Sequence, residues 1–242
     1  MIQLQIKNLE VCHGLLKAVR SIDLEVHAGE VLAIVGANGA GKSTLMRAIA
    51  GSHSASQGSI HFNGQDIGDL PAHERVKLGL SLVPEGRRLF PKMTVQENLV
   101  VGAQIGRKGD WDVESIFEIF DNLVKRRHAK AETLSGGEQQ ATAIGRALVA
   151  NPEIILLDEL SLGLSPAIVD RVYSILPKLR AAKTTIILVE QDLSRVLKVS
   201  DRIICMLEGR IVLEGRTADL TREQIVEAYF GLKKSKNEKV QS

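Results

Sequence analysis

The sequence predicts an α/β fold with a buried parallel sheet, a separate antiparallel layer and a helical insertion, on three observations. The runs "VLAIVG", "IILLDE" and "TIILVE" are apolar almost without interruption, as strands covered on both faces must be. The runs "QLQIKNLEV", "SIDLEV" and "GSIHFNG" alternate instead, with Gly-rich turns between them, which suits a layer packed on one side. Between about residues 90 and 150 the apolar spacing turns helical, in "TVQENLVVGAQIG" and "DVESIFEIFDNLVKRR".

Taken in order, "QLQIKNLEV" and "SIDLEV" open the antiparallel layer, and "VLAIVG" is the first buried strand. A helix follows in "STLMRAIAG", then the strands "GSIHFNG" and "LSLVPE", then the helical block. Beyond the buried strand "IILLDE", the stretch "SPAIVDRVYSILPKLRAA" reads as a helix. Pro177 inside it supplies no N–H, so a kink or an early stop is expected there. The strand "TTIILVE", the helix "QDLSRVLKVS" and the strands "RIICMLEG" and "RIVLEG" complete the chain. This divides a single domain, 1–232, into an α/β core with its β layer (1–84 and 151–232) and a helical subdomain (about 85–150). The tail 233–242, "KKSKNEKVQS", has no large apolar residue besides Val240 and is expected to be disordered. No internal repeat is found.

Bulk composition excludes several classes. At 242 residues, with 44% apolar and 25% charged, the chain is an ordinary globular one with material for a sizeable core. A net charge of +2 with dispersed basic residues leaves no nucleic-acid footprint. Cys12 and Cys205 stand alone without metal-ligand spacing, so a reducing cytoplasm is the expected compartment. The start "MIQLQIKNLEV" alternates like a strand rather than a secretion signal, and no apolar run approaches the ~18 residues that cross a bilayer.

"GANGAGKS", Gly36 to Ser43, fits G-x-x-x-x-G-K-[ST] between a strand and a helix, the context that makes the pattern meaningful. Gly36, Gly39 and Gly41 allow turns that a Cβ would obstruct, and the N–H groups of 36–44, Ala37, Asn38, Ala40 and Thr44 included, would surround phosphates at a helix N-terminus. Lys42 would neutralise the β- and γ-phosphates, and Ser43 would offer its hydroxyl to Mg²⁺. A glycine-rich turn that binds nothing is the bland alternative.

"IILLDE" sets Asp158 and Glu159 at the carboxyl end of a buried strand, the edge where open α/β sheets collect ligands. Asp158 can hold Mg²⁺ through its water shell, and Glu159 can orient and deprotonate an attacking water. No N-K-x-D-type guanine-reading loop is present, which favours ATP over GTP.

A second glycine pair heads another helix in "LSGGEQQ", Leu134 to Gln140, shortly before "IILLDE". With the cradle and the acidic pair in the same order and spacing, the chain resembles the ATP-binding subunits of ABC transporters over nearly its whole length. The fold that this implies is a P-loop NTPase cassette. Ser135, Gly136 and Gly137 cap the helix, so their N–H groups and the Ser hydroxyl are expected to face outward without partners. The resemblance implies that they close over the nucleotide of an opposite subunit. Two chains would then sandwich two ATP molecules head to tail, and hydrolysis would loosen the sandwich to drive a membrane channel.

The stretches "LVPEGRRLFPKMTVQENL", "GGEQQATAIGRAL", "SLGLSP", "ILVEQD" and "EAYFGL" are similar to one branch, the LivF-type subunits of branched-chain amino acid importers. That implies a second ATPase subunit, identical or different, two membrane permeases, an indirectly coupled periplasmic binding protein and a place on the inner face of the plasma membrane. Arg87, Arg88, Leu89, Phe90 and Met93 would form a groove for the membrane partner, unless the loop is merely solvated around one buried Phe. A weakly hydrolysing regulatory module is the alternative function. DNA-repair and translation members of the superfamily carry a coiled-coil insertion or two tandem cassettes, and this chain has neither.

Several positions depart from the superfamily pattern. Glu85 stands where most relatives place a Gln that contacts Mg²⁺, and it is carried as a metal ligand. Gln191 replaces the usual His that contacts the γ-phosphate; its amide can hydrogen-bond but cannot carry a proton. Leu160 replaces a Pro after Glu159, which either loosens the turn or is a tolerated change. Leu164 stands for a common Asp, and Ala141 and Thr142 for larger apolar residues. His13 in "VCHG" occupies the place of an aromatic that stacks on adenine, and is read as the stacking residue over a plain loop His.

Overall fold

The computed structural model describes residues 1–232. The tail expected to be disordered, 233–242, lies outside the described residues.

Alternation in the first strands produces the expected one-sided layer. β1 (Ile2–His13), β2 (Leu16–His27), β4 (Gln57–Phe62) and the two-residue β5 (Gln65–Asp66) form an antiparallel sheet in the order β2-β1-β4-β5. Leu4, Ile6, Leu9, Val11, Ile22 and Phe62 are buried on one side of it. The second sheet contains β3 (Val31–Val35), β6 (Leu80–Val83), β7 (Ile154–Asp158), β8 (Thr185–Val189), β9 (Arg202–Leu207) and β10 (Arg210–Arg216). Its order is β10-β9-β3-β8-β7-β6, parallel throughout except for the β9–β10 hairpin. Every residue of β3, β7 and β8 is buried, as their nearly continuous apolar runs require.

Two apolar clusters explain the layering. One joins the antiparallel layer to Leu32 and Ile34 of β3 and to Leu45, Met46 and Ile49 of α1 (Lys42–Ile49). The other packs Ile155, Leu157, Ile186 and Leu188 of the parallel sheet against the helical block. That block contains α3 (Val95–Ala103), α4 (Val113–Ile119), α5 (Asp121–Val124) and α6 (Gly136–Leu148), and α7 (Pro166–Tyr173) and α8 (Leu176–Ala181) join the same cluster. The separation of α7 from α8 is the early stop expected at Pro177. α9 (Leu193–Val199) and α10 (Arg222–Phe230) cover β3 and β9.

β5, α2 (Ala72–Leu78) and α10 were not read from the sequence. The reason for α2 is tertiary. Its Arg75 is 2% exposed and donates to the carbonyls of Ala48 and Ile49 at the end of α1 and to those of Gly68 and Leu70. A buried cation that satisfies helix-terminal carbonyls leaves no apolar period to detect.

The register then assembles the candidate chemistry. Asp158 pairs with Val189 and Ile34 pairs with Val189, so the carboxyl ends of β7, β8 and β3 lie side by side. The loop from Gly36, the residue Glu159 and the pair Glu190–Gln191 each begin where one of these strands stops.

Candidate functional site

The Gly36–Thr44 loop takes a shape open only to glycine at its tight points. Gly41 has φ 97, and a Cβ there would lie 2.3 Å from the Ala18 carbonyl oxygen; one on Gly36 would lie 2.2 Å from that of Met206. Lys42 is 4% exposed, and its ammonium donates to the carbonyls of Gly36 at 2.7 Å and Ala37 at 3.1 Å. Glu159 Oε1 is 4.0 Å from that ammonium. Burial lowers the Lys42 pKa, while the charges of Glu159, Asp158 and Glu85 oppose the shift.

Ser43 Oγ donates to Asp158 Oδ1 at 3.1 Å, joining the loop to the end of β7. Asp158 is 2% exposed, and burial, then the charges of Glu159 and Glu85, push its carboxyl up to about 6 against the Ser43 hydrogen bond. Glu159 takes a left-handed backbone, φ 50, and its N–H donates to the Val189 carbonyl at 3.0 Å. Gln191 Nε2 donates to both oxygens of Glu159 at 3.0 Å and to Asn38 Oδ1 at 3.2 Å. Asn38, Lys42, Ser43, Glu159 and Gln191 line a cavity of about 420 Å³ with Glu85, His13 and Leu16. The site residues expected of one chain are therefore brought together.

His13 is exposed at the mouth of this cavity, but it is not a free loop residue. Its Nε2 is 3.1 Å from Thr44 Oγ1, and its ring lies 4.5 Å from that of His53, tilted by 50°. His53 Nε2 in turn is 3.0 Å from the Cys12 carbonyl oxygen. His53 was missed because nothing nearby in sequence marks it.

The "LSGGEQQ" end of α6 differs from expectation. The Ser135 hydroxyl is not without partners: it accepts from Glu138 N at 3.4 Å, and the Glu138 carboxylate accepts from Ser135 N at 2.8 Å. This is a capping box, and the S-x-x-E spacing in "SGGE" was available to announce it. Gly137 is buried, and a Cβ there would lie 2.6 Å from Ile168 Cγ2, so close packing with α7 already requires glycine. Acceptors for the N–H groups of Gly136 and Gly137 are absent among the described residues.

The loop after β6 is bent by three successive left-handed residues, Gly86, Arg87 and Arg88, with φ 77, 64 and 47. Arg146 fastens it by donating to the carbonyls of Arg87 and Arg88. Of the five residues expected to form a groove, Arg88 and Phe90 line a cavity of about 300 Å³ with Arg146, Val101 and Ile105. Met93 is exposed beside them in sequence but is not part of that lining. Arg87 and Leu89 lie outside that lining. Arg87 turns to α6 and donates to Gln139 and Gln140, and Leu89 packs on the core.

Leu160, the residue that replaces Pro, is fully buried in the core below Glu159. Leu164 packs partly against the same cluster, and its Cδ2 would lie 3.2 Å from a Cβ on Gly136.

Residues 19–161 match the family model described as ABC transporter. The chain belongs to the ABC transporter family. Over 222 residues it is 41% identical to the high-affinity branched-chain amino acid transport ATP-binding protein BraG of Pseudomonas aeruginosa, covering 90% of this chain and 95% of that one. It is 35% identical over 206 residues to the probable branched-chain amino acid transport ATP-binding protein LivF of Archaeoglobus fulgidus, covering 84% and 87%. Among solved structures, the ADP conformation of MJ1267, an ATP-binding cassette of an ABC transporter, superposes with a TM-score of 0.80 at 30% identity, over 96% of this chain and 99% of that one. The fold is thus the P-loop cassette expected, and this ABC cassette is an ATPase that binds nucleotide. No helix among its described residues is long and apolar enough to cross a membrane.

Proposed function

We propose that this cassette is the ATP-hydrolysing subunit of an importer for branched-chain amino acids or related small solutes. The observation that carries the reading is the meeting of Lys42, Asp158, Glu159 and Gln191 at the aligned ends of β3, β7 and β8. The solute class rests on the similarity to BraG along nearly the whole chain. The same similarity leaves the regulatory, weakly hydrolysing module unfavoured.

In this reading the loop 36–44 and Lys42 hold the phosphates, and His13 stacks on the adenine. Glu159 accepts a proton from the attacking water, and the Gln191 amide keeps its carboxylate aimed. Ser43 and Asp158, with Glu85 facing them, form an oxygen donor set that suits Mg²⁺. That ion would neutralise phosphate charge there.

Ser135, Gly136 and Gly137 lie on a helix N-terminus and would serve the nucleotide of a second cassette, identical or different. A related cassette, MJ0796, is a dimer in its solved structure. Two permeases would dock at the groove beside Phe90 and Arg88, with the protein on the cytoplasmic face of the membrane. Phosphate release with MgATP tests the reading. Glu159→Gln is expected to lower it by about 100-fold or more at unchanged nucleotide binding; turnover indifferent to that change would overturn the assignment.

A further inference from the structure

Glu190, between the strand end Val189 and Gln191, is 1% exposed. It has no role in the chemistry assigned to Glu159. Basic groups of neighbouring elements are engaged elsewhere, Lys42 with the loop carbonyls and Arg195 with Asp170 and Asp192. All its hydrogen bonds come from neutral donors. One oxygen accepts the Ser161 N–H at 3.1 Å; the other accepts the Ser161 hydroxyl at 2.8 Å and the Gln191 N–H at 3.2 Å. The buried Tyr173 hydroxyl lies against the same carboxylate without a well-formed hydrogen bond, and burial and that carboxylate raise its pKa. A buried carboxylate without a counter-ion is expensive to keep.

What this carboxylate joins gives it a purpose. Ser161 lies two residues beyond Glu159, whose left-handed turn has no proline to stiffen it. Leu160 anchors that turn by burial, and Ser161 is fastened to Glu190 twice. On its other side Glu190 holds the backbone of Gln191, whose amide grips both oxygens of Glu159. The contacts close a ring: Glu190, Ser161, Leu160, Glu159, Gln191 and back.

We propose that Glu190 is a positioning residue for ATP hydrolysis, fastening the loop that leaves Glu159 to the backbone of Gln191 and so fixing how those two side chains meet. This rests on the reading of Glu159 and Gln191 given above. Replacement by Gln keeps the size but substitutes an NH₂ for one acceptor. Whichever way it turns, a donor then faces the N–H of Ser161 or of Gln191.

The test measures kcat by phosphate release and nucleotide affinity by titration on the full chain, with thermal melting beside them. Glu190→Gln is expected to lower kcat about tenfold while affinity stays within about twofold, and Glu190→Gln with Ser161→Ala is expected to be no slower than Glu190→Gln alone. If Glu190→Gln does not fold, Ser161→Ala reads the same link and is expected to lower kcat severalfold at unchanged affinity. A folded variant with wild-type kcat, effects of the two changes that simply multiply, or a joint fall of affinity and kcat in step with melting temperature would overturn the proposal. Glu159→Gln separates the two ideas. If it still turns over, the underlying reading fails; if it is dead while Glu190→Gln is normal, only this proposal fails.

Discussion

The side-chain amide of Gln191 donates to both carboxylate oxygens of Glu159 at 3.0 Å, and reaches back to Asn38 on the phosphate loop at 3.2 Å. One neutral side chain therefore aims the proposed base and ties it to the loop. Gln191→Ala is expected to lower kcat by about tenfold or more, with nucleotide affinity little changed, since the lost contact orients rather than binds. Because an amide does not titrate near neutral pH, Gln191→His is expected to add a limb near pH 6.5 to the pH–rate profile, at about the ordinary histidine pKa. Phosphate-release rates across pH check both.

The Asp158 carboxyl, raised to about 6 by burial and by the charges of Glu159 and Glu85, makes stability depend on pH. Between its ordinary value of 3.8 and about 6, the native chain holds a proton that the unfolded chain has lost. The contribution of this group to stability is therefore intact below about pH 4 and is lost as pH rises through about 6. The full swing is about 3 kcal/mol. Without nucleotide or Mg²⁺, Asp158→Asn is expected to melt above the wild type at pH 7.5 and to match it near pH 4. An equal difference at both pH values would contradict this.

Gly137 has a packing role besides its proposed place facing an anion. Gly137→Ala would place its methyl 2.6 Å from Ile168 Cγ2, and overpacking of this kind costs about 1–3 kcal/mol. Trimming the obstacle with Ile168→Ala in the same chain is expected to recover part of that loss. Denaturant unfolding of the two single variants and the double variant measures it. If Gly137→Ala unfolds like the wild type, the close approach of α6 and α7 is not what demands glycine.

These cases also show what a sequence discloses. β3, β7 and β8 were legible because burial on both faces confines polar residues, Asp158 and Thr185, to the ends of the runs. Lys42, Asp158 and Glu159 were legible because their spacing from those strands is itself the signal. Glu190 follows the buried strand β8 as Glu159 follows β7, yet a carboxylate at a strand end reads as an edge facing water. Only the fold shows it sealed under Ser161. Arg75 and Arg87 were opaque for a related reason: a cation bound to carbonyls or amides leaves no partner charge in the sequence to pair it with.

His13 has its imidazole set by Thr44 on one side and packed against His53 on the other. A ring so held is a usable, small stacking surface. His13→Ala is expected to weaken nucleotide binding severalfold, and His13→Trp to strengthen it, each by about 0.5–1.5 kcal/mol, with kcat at saturating ATP unchanged. Titration with a fluorescent nucleotide separates this from a role in the chemical step, which would move kcat instead.

Leu160 occupies the position after Glu159 where relatives in the superfamily commonly have proline, and the structure indicates what restoring proline would do. The Leu side chain is fully buried in the core shared by β7 and the helical block, so Leu160→Pro removes apolar contacts that a ring cannot replace. Proline also restricts the residue before it towards extended backbone, whereas Glu159 sits at φ 50. Both effects act in the same direction, and the change is expected to destabilise the fold by about 2–4 kcal/mol and to lower kcat rather than sharpen the turn. Thermal melting together with phosphate release decides the matter: a variant that melts higher and turns over faster would mean that the turn is loose in the wild type, with Leu160 and the Ser161–Glu190 contacts failing to hold it.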